Sequence, residues 1–208
     1  MNRFVIGLAS AVLLACSGSS SSEGDDAFDS AEYLLPISSP VTQELVTATG
    51  KKWLVHQTPL TDPAYVGVSV ETKGFARDQQ ALDLGEIDPV IQVRLADLDK
   101  DGFEELYLVT QSKGRESYGT VYGFYSDADK DVLLISFEGA SPYTTKEGGP
   151  FEGYQGGDVF LFNENQLMDS FDAQLPQFAS PVKKKVYYKL VKEEGAIVLR
   201  PDRWVAGE

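Results

Sequence analysis

Residues 105–125 read ELYLVTQSKGRESYGTVYGFY, two short apolar runs on either side of a polar stretch that contains glycine. Val, Leu, Tyr, Thr and Phe dominate both runs, and β-branched and aromatic residues of this kind favour strands. The polar stretch between them is short enough to connect neighbouring antiparallel strands. Residues 105–125 therefore predict two strands joined by a loop.

The same two-residue period recurs along most of the chain, between turns rich in Gly, Asp, Asn and Pro. The predicted strands are Lys52–Thr58, Tyr65–Thr72, Val90–Ala96, Glu105–Gln111, Gly119–Tyr125, Val132–Phe137, Asp158–Phe162, Gln166–Phe171, Lys185–Val191 and Ala196–Arg200. Residues 33–208 are expected to form a single all-β domain, an antiparallel β-sandwich or flattened barrel of about 8–10 strands. The span from Glu138 to Gly157 is long for a connection, and such loops are often functional.

The first residues have the pattern of a secretion signal. A basic start that includes Arg3 precedes an apolar stretch from Phe4 to Ala15, which is too short to span a bilayer and typical of a signal peptide. Leu13-Leu14-Ala15-Cys16 resembles the bacterial lipobox, which implies cleavage after residue 15 and lipid on Cys16, the only cysteine. Residues 16–32 are then expected to be a lipidated, disordered tether, because their Ser, Gly, Asp and Glu cannot form a core.

The predicted location follows from the residue after the cysteine. Ser17 stands where an aspartate would favour retention in the inner membrane, so the resemblance to bacterial sorting signals implies an outer-membrane lipoprotein that faces the periplasm. Cleavage would leave a formal charge of −15, because residues 1–15 contain Arg3 and no acid. Such a surface repels nucleic acid and anionic headgroups, and it attracts cations or basic proteins.

The sequence gives no positive signal for an enzyme. His56 is the only histidine and lies among apolar residues of a predicted strand, which favours a structural role over a catalytic triad or a histidine metal site. Paired carboxylates could hydrolyse glycosides, but among 32 acidic residues some pair is always present. We therefore expect a binding protein that has no catalytic residues.

Asp97-Leu98-Asp99-Lys100-Asp101-Gly102 is an acidic loop between two predicted strands. Oxygens at every second position, here Asp97, Asp99 and Asp101, can converge on Ca²⁺. The bidentate glutamate of an EF-hand is missing, because the twelfth position is Leu108. Two interpretations stay open: a Ca²⁺ site, which would make the chain a calcium-binding surface or adhesion module, and a turn that bonds its own backbone. We expect no cofactor other than a possible Ca²⁺.

The order of several motifs resembles the periplasmic inhibitors of invertebrate-type (I-type) lysozyme. The segments that carry the resemblance are residues 95–107 (LADLDKDGFEELY), 112–119 (SKGRESYG), 121–124 (VYGF), 154–160 (YQGGDVF), 165–167 (NQL) and 187–190 (YYKL). The resemblance as a whole covers roughly residues 88–200.

The resemblance implies a β-sandwich without enzymatic activity, often a homodimer, whose Ser/Gly-rich loop enters the substrate cleft of the lysozyme. The corresponding binding loop here would comprise Ser112, Gly114, Arg115, Ser117, Tyr118 and Gly119. In the family a serine and the tyrosine three positions later contact the active site. Aligned on Tyr118, this chain has Arg115 in place of that serine and Glu116 in place of a glycine. Without the resemblance, the favoured interpretation is an ordinary solvated hairpin tip in which Tyr118 packs back on its own sheet.

Overall fold

A computed structural model of the chain describes residues 34, 36–79, 81–114, 116–163 and 165–207. The predicted signal peptide, Cys16 and the whole of the tether lie outside these residues, as does Arg115. Within the described part all regular secondary structure is β-strand, which confirms the all-β class. No helix in that part is long and apolar enough to cross a membrane.

Four strands form an antiparallel sheet in chain order. They are β1 (Val41–Val46), β2 (Lys52–Pro59), β3 (Val66–Lys73) and β4 (Leu82–Ile87). The sequence pattern predicted β2 and β3 but neither of the two outer strands. Most side chains of β1 and β4 are exposed or half-buried, so the apolar alternation that identifies a strand is weak there.

Eight strands form a second sheet that curls into a nearly closed barrel. In spatial order they are β5 (Val90–Ala96), β6 (Glu105–Gln111), β7 (Gly119–Asp127), β8 (Asp131–Phe137), β12 (Ala196–Ala206), β11 (Val182–Glu193), β10 (Gln166–Ala173) and β9 (Val159–Asn163). Among the described strands, only β8 and β12 pair in parallel. Short connections favour antiparallel pairing between consecutive strands, whereas β8 and β12 are separated by three other strands and are free of that constraint.

The β6 strand separates two hydrophobic cores. Its side chains alternate, so that Tyr107 and Val109 point into the barrel while Leu106 and Leu108 face the four-stranded sheet. All four are buried. The molecule is thus a sandwich in which one wall of the barrel also serves as one of the two packed sheets.

Two connections of the barrel sheet differ greatly in length. The β11–β12 connection is a two-residue turn in which Glu194 and Gly195 both have positive φ, 48° and 86°, as a tight hairpin requires. The long segment from residue 138 to 158 closes one end of the barrel, since Phe151 inserts into the barrel core and the buried Lys184 donates to the Gly149 carbonyl at 2.8 Å. The predicted long loop is therefore part of the packed structure.

Candidate functional site

The loop between β6 and β7 is closed by hydrogen bonds between its two ends. The Ser112 N–H donates to the Tyr118 carbonyl, and the Tyr118 N–H donates to Ser112 Oγ, both at 2.9 Å. Inside the loop, the Ser117 N–H and hydroxyl both donate to the Gly114 carbonyl, at 3.3 and 3.2 Å. The described members of the predicted binding loop therefore lie together, and their backbone is fixed. Arg115 belongs to the same loop but lies outside the described residues.

The Tyr118 side chain stands at the surface and is 47% exposed. Its hydroxyl donates a short hydrogen bond to the Glu116 carboxylate, and this bond raises the pKa of Tyr118. One face of its ring lies against Tyr154, with 5.9 Å between ring centroids. Tyr118 is thus held on one side while its remaining surface is available to a partner.

Residues 156–158, which are far from the loop in sequence, form hydrogen bonds with it. The Gly119 N–H donates to Asp158 Oδ2 at 2.6 Å, and the Gly157 N–H donates to the Glu116 carbonyl at 2.6 Å. Gly119 is needed for this close approach, because a Cβ there would lie 2.5 Å from the Phe160 ring and 2.8 Å from Asp158 Cβ. Sequence reasoning assigned no role to Asp158, although the 154–160 segment that contains it was one of the motifs behind the family resemblance.

Beside Tyr118 a pocket of about 740 Å³ opens at the end of the barrel that the 138–158 segment covers. Its aromatic lining residues are Tyr118, Phe137, Phe151, Tyr154 and Phe160. Two carboxyl groups, those of Asp158 and Asp169, also line it. An apolar pocket with a few convergent polar groups is the usual form of a binding site, and barrel mouths often contain one.

Asp158 and Asp169 lie in the same pocket, and each affects the pKa of the other. Burial raises the pKa of Asp169 well above its usual range, and the neighbouring Asp158 raises it further. Burial also raises the pKa of Asp158, although hydrogen bonds from the Tyr154 hydroxyl (2.5 Å) and the Gly119 amide favour its charged form. These contacts favour the neutral form of Asp169 and the charged form of Asp158.

One oxygen of this pair is open to a ligand in the pocket. Asp169 Oδ1, which is buried, has no hydrogen-bond partner among the described residues. The pair is therefore suited to accepting a hydrogen bond or a positive charge at the pocket floor.

The acidic loop between β5 and β6 has the tight backbone that its sequence predicts. The Asp97 carboxylate accepts the N–H groups of Asp101 and Gly102, at 3.1 and 2.9 Å. Asp101 Oδ1 accepts the Phe103 N–H at 3.0 Å. The loop thus bonds its own backbone, as the interpretation of a self-bonded turn requires. A Ca²⁺ site in the same loop is compatible with these bonds.

A fourth carboxylate joins this loop. Asp97, Asp99, Asp101 and Glu105 each place one carboxylate oxygen within 4.8 Å of the others. Burial raises the pKa of Glu105 to about 8, and the charges of Asp99, Asp101 and Asp97 also raise it, against a hydrogen bond from the Leu98 N–H. The sequence-based prediction of a metal site did not include Glu105, although Glu105 is the ninth residue counted from Asp97.

Lys192, from β11, lies beside the acidic loop. Its ammonium is 3.0 Å from Asp99 Oδ2 and 3.5 Å from Asp101 Oδ2. It also lies over the Tyr125 ring, 4.5 Å from the centroid, and the Tyr125 hydroxyl donates to Asp101 at 2.7 Å. These contacts join the loop to the two strands β7 and β11.

His56 lies in β2 and contacts both neighbouring strands. Thr42 Oγ1 of β1 lies 2.8 Å from its Nδ1, and Glu71 of β3 lies 3.5 Å from its Nε2. His56 therefore links three neighbouring strands.

Comparison of the chain with known protein families, with curated proteins and with solved structures finds no match. No relative therefore supplies a function, and the proposals below rest on the chain's own residues and geometry.

Proposed function

We propose that this chain is a lipid-anchored periplasmic protein that inhibits an I-type lysozyme by inserting the loop of residues 112–118 into the enzyme's substrate cleft. The observation that carries the proposal is Tyr118, an exposed aromatic side chain on a loop whose backbone is fixed by internal hydrogen bonds. Tyrosine is among the residues most enriched at the energetic centres of protein interfaces.

The rigidity of the loop supports this proposal. A segment that must become ordered on binding loses conformational entropy, which lowers affinity. Here the bonds between Ser112 and Tyr118 close the loop, and Asp158 holds its end through the Gly119 amide. The binding surface is therefore already ordered in the free protein.

Charge gives a second supporting argument. An acidic protein is drawn toward a basic enzyme, but its carboxylates are repelled by those of a lysozyme's catalytic cleft. The loop sequence contains two cations, Lys113 and Arg115, and the Lys113 ammonium donates to the Pro63 carbonyl. A guanidinium can donate two parallel hydrogen bonds to one carboxylate, whereas the family's serine can donate only one. We propose that Arg115 compensates for the missing serine.

The anchor is the second part of the proposal. Lipid on Cys16 would hold the domain at the outer membrane, facing the periplasm, where it would protect the cell wall from incoming lysozyme. Metabolic labelling with a fatty-acid analogue tests this directly. Wild type should be labelled and Cys16→Ser should not, and an unlabelled wild-type protein would contradict the anchor.

The experiment that tests inhibition is a titration of lysozyme activity against the purified chain, with an I-type and a C-type enzyme in parallel. We expect stoichiometric loss of I-type activity and little effect on the C-type enzyme. A chain that inhibits neither enzyme would refute the proposed function. Light scattering of the same samples would show whether the active form is a homodimer.

A further inference from the structure

The acidic cluster between β5 and β6 contains two carboxylate oxygens that nothing in the described chain satisfies. Glu105 is fully buried, and its Oε1 has no hydrogen-bond partner there. Asp99 Oδ1 is also buried and unpartnered. A buried, unpaired carboxylate oxygen costs free energy, so two such oxygens in one cluster favour the binding of a cation there.

We propose that these four carboxylates bind one Ca²⁺ ion. Asp97, Asp99 and Asp101 supply ligands from alternate positions of the loop, and Glu105 supplies the fourth carboxylate from the first residue of β6. Ca²⁺ takes six to eight oxygen ligands in flexible geometry, which carboxylates, backbone carbonyls and water together provide. Glu105 replaces the glutamate that an EF-hand has at its twelfth position.

Lys192 does not remove the need for a metal ion. Its ammonium carries one positive charge and contacts the Oδ2 atoms of Asp99 and Asp101. It leaves Asp99 Oδ1 and Glu105 Oε1 without a partner. These two oxygens are therefore available to a divalent ion that the four clustered carboxyl groups share.

The chain contains a natural comparison for this loop. Asp127-Ala128-Asp129-Lys130-Asp131 repeats the spacing of the acids, but Val132 replaces the glycine and Ile135 occupies the ninth position. Its carboxylates already have partners, since Asp131 pairs with Arg77 at 2.7 Å and Asp129 Oδ1 accepts the Ser126 hydroxyl at 3.1 Å. The second loop should therefore bind no Ca²⁺.

This inference goes beyond the proposed inhibition and is independent of the Tyr118 loop. The test uses the full-length chain in non-ionic detergent, freed of metal by a chelator and titrated calorimetrically with CaCl₂. Terbium is a second probe, because Tyr107 and Tyr125 donate to Glu105 and Asp101 and can sensitise its luminescence. We expect one Ca²⁺ per chain, a higher Tm with Ca²⁺ than with Mg²⁺ or chelator, and terbium emission that excess Ca²⁺ abolishes.

Two matched variants identify the site. Asp99→Asn removes a charged ligand and should weaken Ca²⁺ binding by about tenfold or more. Asp129→Asn, in the comparison loop, should bind Ca²⁺ as wild type does. Asp99 is chosen over the fully buried Glu105 so that folding is not at risk, and circular dichroism confirms the fold of each variant. Two results would overturn the inference: no heat and no Tm change in wild type at about 5 mM calcium, above the Kd range of extracellular calcium modules, or equal losses in both variants.

Discussion

Tyr118 shows how one side chain can be both anchored and available. Its hydroxyl is bound to Glu116 and its ring touches Tyr154, yet 47% of the side chain remains exposed. A tyrosine has only two side-chain torsions, so such contacts are enough to fix it at small entropic cost. The Tyr118 side chain is therefore both ordered and exposed in the free protein.

Replacement of Tyr118 by alanine should weaken binding to an I-type lysozyme by about 2 kcal/mol or more, the scale of an interface hot spot. Leu134→Ala is the control, because Leu134 is a 63% exposed apolar residue of β8 that pairs with Phe124, away from the Gly119 end of β7. Titration of residual enzyme activity measures both variants. Inhibition by Tyr118→Ala at wild-type strength would show that the loop is not the site.

Asp169 should make the stability of the protein depend on pH. Burial and the neighbouring Asp158 raise its pKa in the folded chain. The Val159 backbone and Lys183 lower this pKa by a smaller amount. The Tyr154 and Tyr188 hydroxyls lie near the pair and are uncharged at neutral pH, because burial raises both of their pKa values. The stabilising effect of a raised pKa is complete below the unfolded value of about 4 and is lost as pH rises through the folded value.

Asp169→Asn should therefore reduce the fall in the free energy of unfolding between about pH 5 and about pH 8, because an amide does not ionise. In chelator, Glu105, whose pKa is raised to about 8, contributes a fall of the same sign to both proteins, so the difference between them isolates the Asp158–Asp169 pair. Urea denaturation at several pH values measures it. Parallel pH profiles for wild type and Asp169→Asn would contradict the assignment of the proton to Asp169.

At the scale of elements, the loop of residues 112–118 depends on how closely the start of β7 approaches β9. Gly119 lies against Asp158 and Phe160, where a side chain has no room. The contact fixes the loop and the rim of the pocket at once. It therefore joins the two halves of the candidate site.

Gly119→Ala should destabilise the protein by about 1–3 kcal/mol, because the added methyl group forces Phe160 or the backbone to move. Gly114→Ala is the matched control in the same loop, since a Cβ there meets nothing within 4 Å. It should leave stability unchanged or slightly raised. Thermal unfolding of the two variants distinguishes them, and equal stabilities would show that the β7–β9 contact is not tight.

For the whole molecule, the shared β6 strand makes the sheet and the barrel one structural unit. Leu108 packs toward the four-stranded sheet, and the adjacent Tyr107 and Val109 pack into the barrel. Loss of either core exposes one face of β6 and weakens the other core. We therefore expect a single cooperative unfolding transition.

Leu108→Ala should lower the free energy of unfolding by about 2–5 kcal/mol and keep the transition single. Trp53 is fully buried in the core between the sheets, so its fluorescence reports that core, while far-UV circular dichroism reports all strands. A Trp204→Phe background removes the exposed second tryptophan. Two separate transitions, one seen by each method, would show that the barrel folds independently of the small sheet.

The local sequence was enough to predict the strands whose side chains alternate between a core on one face and either solvent or the other core on the opposite face. It predicted β2, β3 and all eight barrel strands, because a period of two is a local property that burial imposes on each strand. It also located the acidic loop and the loop of Tyr118, since both depend on residues that are adjacent in the chain. It missed β1 and β4, whose exposed side chains carry little of that alternation.

Tertiary structure alone decided which distant residues share a site. Asp158 reaches Gly119 across 39 positions of sequence, and Lys192 of β11 reaches Asp99 from the far half of the chain. The parallel pairing of β8 with β12 belongs to the same class. Local patterns record only whether a residue is buried, whereas the partner that it meets depends on how the strands are ordered in the sheet, which no short segment specifies.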